Sequence, residues 1–96
     1  MAFYTIHCLD HDDALPMRLA TVDAHRAYQA RSPIPVLISG PLLADDGATM
    51  IGSIFLVEAN SKDDMLAYHR ADPFYLAGIW KEIRIHPFFK RIDNRG

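Results

Sequence analysis

The chain has 96 residues, half of them apolar, with ten Lys or Arg against twelve Asp or Glu and a formal charge of −2 with histidine neutral. That length makes one domain, residues 1–96, and that charge gives no general reason to bind nucleic acid or an anionic membrane. The single cysteine, Cys8, excludes an internal disulfide, and no apolar stretch reaches the ~18–20 residues needed to cross a bilayer.

Ala2 to Leu9 (AFYTIHCL) is short and rich in aromatic and β-branched residues, which predicts a strand. Its start lacks a basic region and meets acid by Asp10, so it does not read as a signal peptide, and a cytoplasmic location is expected. The DHDD that follows breaks the strand and offers carboxylates to cap a helix. Leu15 to about Arg31 reads as that helix, with Leu15, Leu19, Val22 and Arg26 repeating at three- and four-residue spacing. Pro16 is tolerated in its first turn. VLISG predicts a second strand closed by Gly40-Pro41, Asp46-Gly47 a turn, and TMIGSIFLVEA a third strand, so that 36–58 forms a long hairpin. Ser61 opens a second helix, with Asp64 three residues on in the manner of a capping box. Pro73–Ala77 predicts one further turn, GIWKEIRIHPFF the last strand, and the polar tail from about Lys90 a frayed end.

The order βαββαβ implies an α+β, ferredoxin-like domain, an antiparallel sheet with two helices on one face. MIGSIFLV and AFYTIHCL do not alternate apolar with polar residues, as strands with one wet face should. Two helices cover one face only. A second copy of the sheet is the expected cover for the other, giving a homodimer with its sheets packed into an α/β barrel.

Three segments carry a family resemblance: His25 within VDAHRAYQA, SGPLLADDG after the second strand, and RADPFYLAGIW leading into the last strand. With this order and spacing the chain, from residue 2 to about residue 90, resembles the YCII-related family of small dimeric α/β-barrel proteins. The resemblance implies sheet-mediated dimerisation and an active site built on a histidine and an aspartate, which map to His25 and Asp72. Ser39, Gly40 and Pro41 map to a segment lining the same pocket. A lyase that removes hydrogen chloride from a chlorinated hydroxyquinol is similar to at least one relative.

Read from spacing alone, each of these residues also has a plain structural role. His25 shares a helix face with Ala14, Arg18, Val22 and Gln29, where a histidine at the edge of the core bonded to backbone is the common case. Asp72 directly precedes Pro73 and is a natural helix cap. A carboxylate can cap and also orient an imidazole, since it has two oxygens. If it fixes the His25 tautomer, the other ring nitrogen can move a proton on a small ring or acid, which needs no metal or cofactor. Ser39 suits substrate positioning better than nucleophilic attack, because no Gly-x-Ser-x-Gly elbow is present. His7, Cys8, Asp10 and His11 tempt toward a metal, but His7 and Cys8 alternate across a strand and the usual close cysteine pair is missing. His7 remains a candidate for facing the cavity. Trp80, Glu82, Arg84 and His86 are expected on one face of the last strand, with cross-strand ion pairs. His69 is expected on the exposed part of the second helix, and Phe74, Tyr75 and Trp80 in the core.

The reading is therefore an acid–base enzyme of lyase or isomerase type acting on a small aromatic or carboxylate metabolite. The alternative is a dimer that binds or senses such a molecule without changing it.

Overall fold

A computed structural model describes residues 2–95. Its elements are β1 (Ala2–Asp10), α1 (Leu15–Ala30), β2 (Val36–Leu43), β3 (Met50–Ala59), α2 (Lys62–Arg70), α3 (Pro73–Leu76) and β4 (Trp80–Phe88). The strands form one antiparallel sheet in the order β2-β3-β1-β4, and the helices pack on one face, the ferredoxin-like α+β arrangement.

Alternation along β1 sets the two faces. Tyr4, Ile6, Cys8 and Asp10 are buried toward the helices, while Phe3, Thr5, His7 and Leu9 take the other side and stay half-exposed. Ile6 pairs with Phe55 and Ile85, and these join Val57, Met65, Tyr68, Phe74 and Ile79 in the core. Each such large side chain fully removed from water contributes roughly 1.5–3 kcal/mol. Gly52 interrupts the apolar run of β3 for a steric reason. A Cβ built there would lie 2.2 Å from the Cys8 carbonyl oxygen, so only glycine lets the two central strands approach.

Four expectations change. β2 does not close at Gly40-Pro41 but runs to Leu43; it is an edge strand, where proline costs no interior ladder bond. The carboxylates of DHDD do not cap α1, whose cap position is Ala14 with no side-chain bond. Leu15 and Leu19 are exposed, at 37% and 56%, whereas Arg18 and His25 face inward. Finally, the register slips between Leu9 and Asp10 so that Asp10 pairs with Trp80. This bulge turns Trp80 inward, onto the face opposite Glu82, Arg84 and His86. The Glu82–Arg84 pair runs along β4, not across strands.

Candidate functional site

Asp72 sits between α2 and α3. Its backbone is extended, and its Oδ1 accepts the Phe74 N–H at 2.8 Å, capping α3 above Pro73. The same oxygen lies 2.8 Å from His25 Nδ1 on α1, 47 positions earlier in the chain. Asp72 is fully buried and His25 is 8% exposed. A buried carboxylate needs such partners, and this one places the imidazole proton on Nδ1. Nε2 is then the nitrogen left to exchange a proton. The ring is further fixed by stacking on Phe74, with centroids 3.9 Å apart and planes 8° apart, and by an edge contact to Phe55 at 6.0 Å.

Two helical turns before His25, Arg18 reaches the same region. Its Nε and Nη2 grip Asp10 at 2.7 and 2.9 Å, a bidentate pair at 3% and 5% side-chain exposure. Nη2 also donates to the Gly52 carbonyl at 2.9 Å and to Ser53 Oγ at 2.8 Å. The guanidinium carbon lies 4.8 Å from the centre of the Phe74 ring. Nη1 is the one guanidinium nitrogen with no protein partner. The Arg18–Asp10 pair is locally neutral, and exposed Arg26 adds a positive charge at the rim of the site.

These side chains line a hollow of about 270 Å³ between α1, α3 and the β2–β3 edge, together with Gln29, Ser39, Gly40 and Pro41. Ser39 Oγ accepts from Gln29 Nε2 at 3.2 Å. Gly40 is not required by sterics, because a Cβ there meets nothing within 4 Å. A larger cleft of about 560 Å³, lined by Tyr28, Pro35, Glu58, Asp64 and Tyr68 among others, lies away from His25 and Asp72. The smaller hollow is the candidate site, because among the described residues it alone is bordered by a histidine oriented by a buried carboxylate.

His7 is not brought to this hollow. It lies on the helix-free face of the sheet, paired with Ile54 and Arg84, because odd positions of β1 point away from the helices. Cys8 points the other way and is fully buried; burial, with the charges of Asp72 and Asp10, pushes its thiol up to about 12, so it is no nucleophile. His69 is also misjudged by sequence, being 1% exposed and stacked on Trp80 at 4.9 Å. Sequence reasoning gave Arg18, Asp10, Ser53 and Phe74 no part in this site, weighing Asp10 only as a metal ligand and Phe74 only as core. The one available signal was that Arg18 and His25 share a helical stripe seven residues apart.

Comparison with known proteins matches residues 2–89 to the model of the YCII-related domain. Protein YciI of Escherichia coli O6:H1 is 31% identical over 94 residues, spanning 91% of this chain and 96% of that protein. Among solved structures, TftG of Burkholderia phenoliruptrix, a 5-chloro-2-hydroxyhydroquinone dehydrochlorinase in complex with 2,5-dihydroxybenzoquinone, superimposes with a TM-score of 0.81 at 27% identity, covering 91% of this chain and 93% of that one. A NIPSNAP domain protein from Burkholderia xenovorans, at 13% identity and TM-score 0.55 over 95% of both chains, shares the fold alone.

Proposed function

This chain belongs to the YCII-related domain family, and we propose that it is an acid–base enzyme of lyase or isomerase type acting on a small aromatic or carboxylate metabolite. The observation that carries this reading is the 2.8 Å contact between His25 Nδ1 and a fully buried Asp72 oxygen at the wall of a hollow of ligand size. The dehydrochlorinase activity of TftG supports the reaction class.

Nε2 of His25 takes the proton of a substrate hydroxyl. The resulting oxyanion meets the free Nη1 of Arg18, and Ser39 holds a neighbouring oxygen. The imidazolium is stabilised by Asp72 and by the Phe74 face beneath it. For a chlorinated polyhydroxybenzene, Nε2 returns the proton to the ring carbon bearing chlorine while the hydroxyl oxygen becomes a carbonyl. A second hydroxyl gives its proton to the now neutral Nε2, its electrons move into the ring, and chloride leaves with the bonding pair, giving a hydroxyquinone. The imidazolium then releases that proton to solvent, so that hydrogen chloride is the net loss.

The test is chloride release from 5-chloro-2-hydroxyhydroquinone under anaerobic conditions. His25→Ala and Asp72→Asn should each lower turnover by about 10²-fold or more, the usual scale of a lost general acid–base group, with the fold intact by circular dichroism. Turnover that survives both substitutions refutes the dyad.

We also infer that two copies pair through the helix-free sheet face. Phe3, Leu9, Leu42, Ile54 and Leu56 are half-exposed on that side, and Ile38 and Phe88 are exposed at 44% and 41%. An apolar sheet face of this kind is buried against water by a second copy of itself. A solution mass of two chains is the expected result.

A further inference from the structure

Asp72 has one oxygen engaged and one not. Oδ1 serves both Phe74 N and His25 Nδ1, whereas Oδ2 is fully buried without a protein partner. The other buried polar atoms without partners, among the described residues, are Tyr68 Oη, both ring nitrogens of His69, and Trp80 Nε1. Three of these four atoms belong to His69 and Trp80, which pack beside the α2–α3 corner that holds Asp72, Trp80 meeting the Phe74 ring edge-on at 5.9 Å. The His69 ring stacks on Trp80 at 4.9 Å and 11°, the Asp72 N–H donates to the His69 carbonyl at 3.2 Å, and Tyr68 and His69 both feel the charge of Asp72.

Isolated buried polar groups are costly, so native interiors hold few of them. Here His69 and Trp80 each offer an N–H and one Asp72 oxygen accepts, a set that one buried water satisfies by accepting twice and donating once. His69 is neutral near pH 7, because burial lowers its pKa to about 4 against the opposing pull of Asp72, and a neutral ring carries one N–H to give.

We infer that His69 is a positioning residue for the dyad: its ring N–H, passed through one bridging water, holds Asp72 Oδ2 and fixes the plane in which Oδ1 meets His25. Without that hold the carboxylate pivots about its Cβ–Cγ bond, and His25 loses its single tautomer. Trp80 supplies the flat face that keeps the His69 ring in place and a second N–H to the same water. The inference concerns the geometry of the pair named in the proposed function. Its readout needs no substrate, so it stands or falls apart from the choice of reaction.

The experiment is nitrogen NMR on the histidine-labelled protein at pH 7.5. Unmodified protein should show His25 as the Nδ1–H tautomer alone, and a cross-peak from the His69 ring N–H to a long-lived water. His69→Phe keeps the stack on Trp80 but removes the donor, and should give a mixture of the two His25 tautomers. His69→Gln restores an N–H donor and should return His25 to one tautomer. A single unchanged His25 tautomer in His69→Phe overturns the inference, as does equal mixing in both variants. Should His69→Phe fail to fold, the unmodified protein still decides: a His69 ring without a slowly exchanging N–H in contact with water refutes it.

Discussion

Acid should weaken this fold through one ring. His69 is 1% exposed, stacked on Trp80 and edged by Phe55 and Tyr75 at 6.0 and 5.5 Å, with no protein partner for either nitrogen. Burial lowers its pKa from 6.5 to about 4; the Asp72 charge opposes this and Arg70 adds a little. In the unfolded chain the ring takes a proton below about pH 6.5, while in the native protein it waits until about pH 4. The stabilisation is therefore complete above pH 6.5 and drains away as the pH falls toward 4. A gap of about 2.5 pH units, at about 1.4 kcal/mol each, amounts to about 3.5 kcal/mol, of which about 3 kcal/mol is lost by pH 4, where the native ring is half protonated. The assay is urea denaturation of the unmodified protein and His69→Phe at pH 7, 6, 5 and 4, at one protein concentration so that association does not enter the comparison. The unmodified protein should lose about 3 kcal/mol more than the variant across that window. Parallel stability curves for the two proteins would refute the argument, since every other titrating group is common to both.

Two more outcomes follow from the geometry. Arg18→Met strands Asp10 as a buried, unpaired carboxylate and should destabilise the protein by ~3–5 kcal/mol in the same denaturation assay, while Arg18→Met with Asp10→Leu should recover much of that loss. Ile54→Glu on the helix-free face should halve the solution mass measured by sedimentation; an unmodified chain that already sediments as one copy would refute the pairing of sheets.

The order of strands and helices was legible because each element carries its own local marks: β-branched residues in β1, the Asp46 turn, and the Ser61 cap, whose Oγ accepts the Asp64 N–H at 3.1 Å. What sequence hid was which side of an element faces inward. On α1 the leucine repeat marks a stripe left exposed, because the inward stripe is polar and made tolerable by pairing, Arg18 with Asp10 and His25 with Asp72. Hydrophobic periodicity has no means of seeing a buried charge whose partner lies on another element. Trp80 lies in the core as expected, but not on one strand face with Glu82, Arg84 and His86, because one bulge inverts the facing of residues across it, and bulges leave little trace in composition. His69 follows Met65 by four residues and so shares its inward stripe, a sign that the habit of treating histidine as a surface residue overrode. The meeting of His25 with Asp72 rested on the family resemblance. Nothing in the spacing of two residues 47 apart brings them together.

One oxygen of Asp72 both begins α3 and steadies His25. If the proposed function holds, architecture and chemistry are tied to a single atom, and natural selection acting on either keeps the aspartate. A relative without catalysis would still need its Asp-Pro corner to build α3, while its histidine would be free to drift. Under that reading the acid is a record of shape, and the imidazole is the residue that reports on chemistry.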